Sequence, residues 1–132
     1  MKTNYRLALA VLAGVSIGVA GARAIYAQQV KTPPAYVIAE VEITDPTALQ
    51  KYAEKAPGIV AAFNGHYLVA TGTGQAQALE GEAPKGFIVV IAFDSVEKAR
   101  AWYDSPVYDA IKPIRQRATK SRIYIAEGVA PR

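Results

Sequence analysis

The chain has no cysteine, which removes disulfides, thiolate nucleophiles and thiolate metal ligands together. Its 132 residues include a single histidine, so a transition-metal site would need carboxylates gathered from distant segments, and no metal is expected. Charge of one sign is also scarce. The 15 Lys and Arg outnumber the 11 Asp and Glu, but Lys2, Arg6 and Arg23 precede Gln28, which leaves 12 basic against 11 acidic residues beyond that point, a net charge of +1. That balance offers no case for nucleic-acid binding. Gly72, Gly74 and Gly81 do not open a helix after a strand, so no phosphate-cradling loop is present. Ser105 has no nucleophile elbow around it, because Asp104-Ser105-Pro106 reads as a helix cap.

What is present begins with a leader. Lys2 and Arg6 precede an apolar run from Leu7 to Ala22, followed by small residues at Ala22, Ala24 and Ala27. That is the order of a secretory signal. The run is shorter than the roughly 20 residues of a membrane-spanning helix and contains Gly14, Gly18 and Gly21, so stable membrane insertion after cleavage is not expected. No Cys follows it and no twin-arginine pair precedes it, which argues against a lipid-anchored N-terminus. A signal peptide over residues 1–27 with cleavage near Ala27 predicts a periplasmic or secreted protein, although Ala22-Arg23-Ala24 also matches the small-x-small pattern. Residues 28–34 form a proline-bearing linker, residues 35–128 one domain, and residues 129–132 a tail.

Within the domain, Tyr36 to Ile43 alternates strictly. Val37, Ala39, Val41 and Ile43 fall on one side, Tyr36, Ile38, Glu40 and Glu42 on the other, the pattern of a strand with one apolar face. Asp45-Pro46 caps and opens a helix carrying Leu49, Tyr52, Ala53, Ala56, Val60 and Phe63 at helical spacing. Pro57 is expected to kink or restart it, and Asn64-Gly65 to stop it. His66 to Thr73 reads as a second strand and Gln77 to Glu80 as a weak extension of it, followed by a turn over residues 81–85. Phe87 to Phe93 is continuously apolar, as in a central strand buried on both faces. A cap at Asp94 to Glu97 starts a helix with Val96, Ala99 and Tyr103 on its apolar stripe. Ser105-Pro106 opens another, carrying Ile111, Ile114 and Ala118, and Ser121 to Glu127 alternates as a last strand.

The order strand, helix, strand, strand, helix, strand is the split β-α-β pattern, an α+β ferredoxin-like antiparallel sheet with helices on one face. Its first strand lies between the third and the fourth. Glu40 and Glu42 then sit across from Arg122 and Tyr124 on the face away from the helices, together with Ile88 and Val90. A sheet face left open in this way implies a cover, most simply the same face of a second subunit.

Several stretches also form a recognisable set: Tyr36 to Pro46, Tyr67-Leu68-Val69, Leu79-Glu80-Gly81, Val89 to Phe93, and Ala101-Trp102-Tyr103-Asp104-Ser105-Pro106 with Tyr108. Together they resemble the domain of unknown function 1330 family over roughly Ala35 to Gly128. The resemblance implies a dimeric α+β barrel, in which two ferredoxin-like sheets close around a shared interior, and it implies no established activity. Fold relatives include cofactor-independent monooxygenases and small isomerases, an analogy of fold alone. Where members often carry Arg or Lys after the Asn-Gly pair, this chain has His66.

The candidate catalytic set is His66, Glu40 and Arg122, with His66 as general base if a carboxylate orients it. Tyr36, Glu42, Trp102, Tyr103, Tyr108 and Tyr124 are the candidate ligand-binding residues, with the aromatic side chains able to wall an apolar pocket. Plainer roles compete: His66 as an exposed strand start, Trp102 as packing between helix and sheet, Glu40 and Arg122 as a cross-strand ion pair. The expected function is binding of a small apolar or aromatic molecule in the barrel interior of a homodimer. No metal or organic cofactor is expected, and any reaction would be a cofactor-independent oxygenation or isomerisation. The alternative is a non-catalytic envelope or stress-related interaction protein whose sheet face is only a dimer interface. A cavity large enough for a ligand separates the two.

Overall fold

The structure, a computed structural model, describes residues 31–72 and 74–132. The leader and its cleavage site lie outside the described residues, among which no helix is long and apolar enough to cross a membrane. The alternating segment forms β1 (Ala35–Ile43), and its burial alternates as its hydropathy does. Asp45 caps α1 (Pro46–Ala62), its side chain accepting from the Ala48 N–H at 3.0 Å. The chain continues through β2 (His66–Ala70), β3 (Phe87–Phe93), α2 (Val96–Tyr103), α3 (Pro106–Asp109), α4 (Lys112–Ala118) and β4 (Thr119–Glu127). The four strands form one sheet in the order β2-β3-β1-β4, with every pairing antiparallel. This is the expected ferredoxin-like α+β topology.

Four local expectations are corrected. Helix α1 runs unbroken through Pro57; the proline leaves the Ala53 carbonyl without its helical partner, and both residues are exposed, so that carbonyl is not buried unpaired. Strand β2 ends at Ala70, and Gln77 to Glu80 forms no strand. The third helical stretch is two short helices, because the chain turns at Ala110 and Ile111 before Pro113 takes its place in the first turn of α4. Glu42 stands opposite Lys120 and Tyr124 opposite Ile38, so only Glu40 meets its expected partner, Arg122.

The end of α1 divides the work of its two stop residues. Asn64 takes the left-handed conformation at φ 57°. The Gly65 N–H then donates to the Val60 carbonyl and the Asn64 N–H to that of Ala61, at 3.0 Å each, a Schellman motif. Gly65 is there for space, since a Cβ would sit 2.7 Å from side-chain atoms of both Phe93 and Val60. The core lies between sheet and helices, built from Ala35, Val37, Ile91 and Phe93 on the strands with Val60, Ala99, Trp102, Tyr108 and Ile111 on the helices.

Candidate functional site

Helix α2 packs directly on β1, β3 and β4, whereas α1 leans chiefly on α4. Between α1 and the sheet lies a cavity of about 400 Å³. Small residues hold it open: Ala39 on β1, Ala70 on β2, and Ala53 and Ala56 on α1 all line it. Its volume lies in the ordinary range of small-molecule sites, which are likewise mostly apolar with a few fixed polar groups.

A bulge shapes one wall. The β2–β3 register shifts between Tyr67 and Val69, so that Tyr67 pairs with Ile91 and Ala70 with Val89. Ile91 and Val89 face the helices, and the extra residue, Leu68, therefore turns both Tyr67 and Ala70 inward. Both line the cavity.

The polar wall is built around Tyr108, which is fully buried. Ser105 sets its backbone, donating to the Trp102 carbonyl at 2.7 Å and accepting from the Tyr108 N–H at 3.2 Å as the cap of α3. The Tyr108 ring stacks at a 33° tilt on Trp102, centroids 4.4 Å apart, and lies near Tyr103 at 5.7 Å. Its hydroxyl bonds that of Tyr52 at 2.9 Å and accepts from Arg115 Nε at 3.3 Å. Arg115 is only 6% exposed. Burial weakens its hold on the proton, but the oxygens of Tyr108, Tyr52 and Tyr103 more than restore it, so the guanidinium stays charged. Burial, reinforced by Tyr108, pushes the Tyr52 hydroxyl well above its ordinary value, and burial does the same for Tyr67.

Of the sequence-predicted residues, Trp102 and Tyr108 line this cavity, and Tyr103 borders it through its contacts with both. Tyr36, Glu40, Glu42, Arg122 and Tyr124 lie on the opposite face of the sheet. Arg122 donates to Glu40 at 2.6 Å across the strands, with Arg122 largely in solvent. His66 shares a row with Ala92 and Tyr36, four residues along the strand from the row of Glu40, Ile88 and Arg122. At about 3.3 Å per residue these rows are about 13 Å apart. Within one chain the expected catalytic set is therefore not brought together, because the three rows of Val37, Ile38 and Ala39 separate the histidine from the ion pair.

Tyr52, Tyr67 and Arg115 complete the polar wall and were not among the candidates. Tyr52 reads as ordinary helix core. Arg115 carries a visible signal: it stands four residues after Ile111 and three before Ala118, a charge within an apolar stripe. Among the described residues, no three metal-ligating side chains gather in one place.

Fold and cavity define an α+β protein of the ferredoxin-like class with a ligand-sized space under its first helix. Residues 34–129 match the domain of unknown function DUF1330, and the chain belongs to that family. It is similar to a protein of unknown function from Rhodopseudomonas palustris at 14% identity and a TM-score of 0.56, over 84% of this chain and 94% of that one. A hypothetical protein from Arabidopsis thaliana aligns at 13% identity and a TM-score of 0.52, over 80% of this chain and 96% of that one. A protein of unknown function from Thermobifida fusca, described as dimeric and ferredoxin-like, aligns at 15% identity and a TM-score of 0.44, over 76% of this chain and 95% of that one. No curated protein matches the chain significantly.

Proposed function

We propose that this protein is an exported homodimer that binds a small apolar or aromatic molecule, and that the binding site is the cavity between α1 and the sheet. The observation that carries this reading is the cavity itself: about 400 Å³, alanine-walled, with an aromatic and hydroxyl-bearing end. Apolar ligands are held in such sites by burial and oriented by a few polar groups. The ligand thus sits on the helix side of each sheet rather than in the interior between two sheets. A cofactor-independent oxygenation or isomerisation is the reaction class to screen, with Tyr52, Tyr108 and Arg115 as the groups next to a bound substrate.

The dimer part rests on the open sheet face. Tyr36, Ile38, Ile88, Val90 and Tyr124 alternate onto it around the Glu40–Arg122 pair. An apolar face with charge toward one end suits a second copy, related by a two-fold axis that sets like patch on like patch.

The test is a titration of the isotopically labelled protein with indole, a neutral aromatic probe, followed by amide chemical shifts. Shifts are expected at Ala39, Ala56, Ala70 and Val89, which line the cavity, and not at Glu40 or Arg122. Shifts confined to the open face, or none, would overturn the cavity reading. Sedimentation of the same sample tests the dimer, which Ile38→Asp is expected to dissociate.

A further inference from the structure

Resting on that reading, we infer that the natural ligand of the cavity is an anion, an apolar or aromatic molecule that ends in a carboxylate, recognised by Arg115, Tyr108 and Tyr52. The cavity wall carries an excess of hydrogen-bond donors over acceptors. The polar side chains lining the cavity are Tyr52, Tyr67, Trp102, Tyr108 and Arg115. Every one of them is a donor, and Trp and Arg have no acceptor atom at all. No Asp, Glu, Asn, Gln, Ser, Thr or His is in the lining.

These donors are largely unspent. Tyr52 and Tyr108 share one hydrogen bond, which uses one of their two hydroxyl hydrogens; the other has no acceptor among the described side chains. Arg115 donates from Nε to Tyr108, and its two terminal amino groups have no carboxylate. The ion pairs among the described residues are Lys112–Asp109 and Arg122–Glu40, and Arg115 is in neither. A guanidinium held largely out of solvent without a counter-ion is costly to fold. One ligand group that is anionic, planar and rich in acceptor lone pairs supplies the missing counter-ion, and a carboxylate matches the guanidinium fork.

Arg115 also stands at the right place for this role. Together with Ile123 it forms the wall between the cavity and a polar cleft lined by Gln116, Thr119 and Ser121. On that side Thr119 is already engaged, donating to the Arg115 carbonyl at 2.7 Å and bonding Ser121 at 2.6 Å. The neutral body of the ligand meets Ala39, Ala56 and Val89 on the other side.

The experiment compares two probes of one shape, 2-naphthoate and 2-naphthamide, by calorimetric titration of the protein at neutral pH. The carboxylate is expected to bind at least about tenfold more tightly than the amide, a difference of about 1.4 kcal/mol. Arg115→Met is expected to abolish that preference, while Arg115→Lys retains part of it. A melting temperature of Arg115→Met equal to or above that of the parent shows that the loss is not unfolding. Equal affinities in the parent, or a preference that survives Arg115→Met, overturn the anion assignment and leave the cavity reading standing. Binding of neither probe overturns both.

Discussion

Ala39 lies at the middle of β1, opposite Val89 and Ile123, 5% exposed, with its methyl group in the cavity wall. Replacing it by isoleucine adds three carbons there. Three groups of about 30 Å³ each fill less than a quarter of the roughly 400 Å³ available. At about 0.8 kcal/mol per buried methylene the gain has an upper bound of about 2.4 kcal/mol. Residual burial in the unfolded chain reduces it, and a β-branched side chain in a strand adds a little back. The expected net stabilisation is about 1–2 kcal/mol, and for a domain of this size about 1 kcal/mol raises the melting temperature by about 4–8 °C. The assay is urea denaturation, in which the midpoint should rise at constant slope. Were the space filled by side chains, the same three carbons would overpack the core and cost about 1–3 kcal/mol. The sign is therefore the test: a lowered midpoint refutes the cavity. In the same variant the indole-induced shifts should disappear.

Two further outcomes follow from the same packing. Gly65→Ala is expected to destabilise the fold by about 1–3 kcal/mol, because the new methyl would overlap Phe93 and Val60, both of which are themselves buried; a denaturation midpoint within error of the parent would contradict the close approach. Tyr52 and Tyr67 hold their protons above the ordinary phenol value of 10. Below about pH 10 these phenols are neutral in both folded and unfolded chains, whereas above it the unfolded chain ionises first. Stability should then fall with rising pH by up to about 1.4 kcal/mol per pH unit for Tyr52 and by less for the more exposed Tyr67, and tyrosinate absorbance should show a late-titrating class in the folded protein. Tyrosines that all titrate together near 10 would refute the burial of the Tyr52 hydroxyl.

The fold was legible because its signals are periodic and local. Alternation in β1 separates Val37, Ala39 and Val41 from Ile38, Glu40 and Glu42, and the register puts each set on the expected face. The caps at Asp45, Ser95 and Ser105 carry the hydrogen bonds that their sequence contexts predict. The site was less legible because it depends on what touches what across long separations. Tyr52 and Tyr108 are 56 residues apart, and it is the packing of α1 against α3 and α4 that brings their hydroxyls together. Charge on the sheet clusters at Glu40 and Arg122, which draws attention there, and that pair is a solvent-facing cross-strand bridge. Arg115, the charge that matters to the cavity, stood in an apolar stripe. A charged residue at a buried helical position is the signal that would have found it.

The bulge at Leu68 bears on a different hazard from ligand recognition. β2 is an outer strand of the sheet, and outer strands present unpaired N–H and C=O groups on which other chains can polymerise. With five residues and a break in its pairing after Tyr67, this one is short and irregular, a poor template for growth by strand addition. The same extra residue that turns Tyr67 and Ala70 inward therefore keeps the margin of the sheet from propagating into a fibre. Deleting Leu68 should reshape the cavity wall and make the protein prone to aggregate in one step.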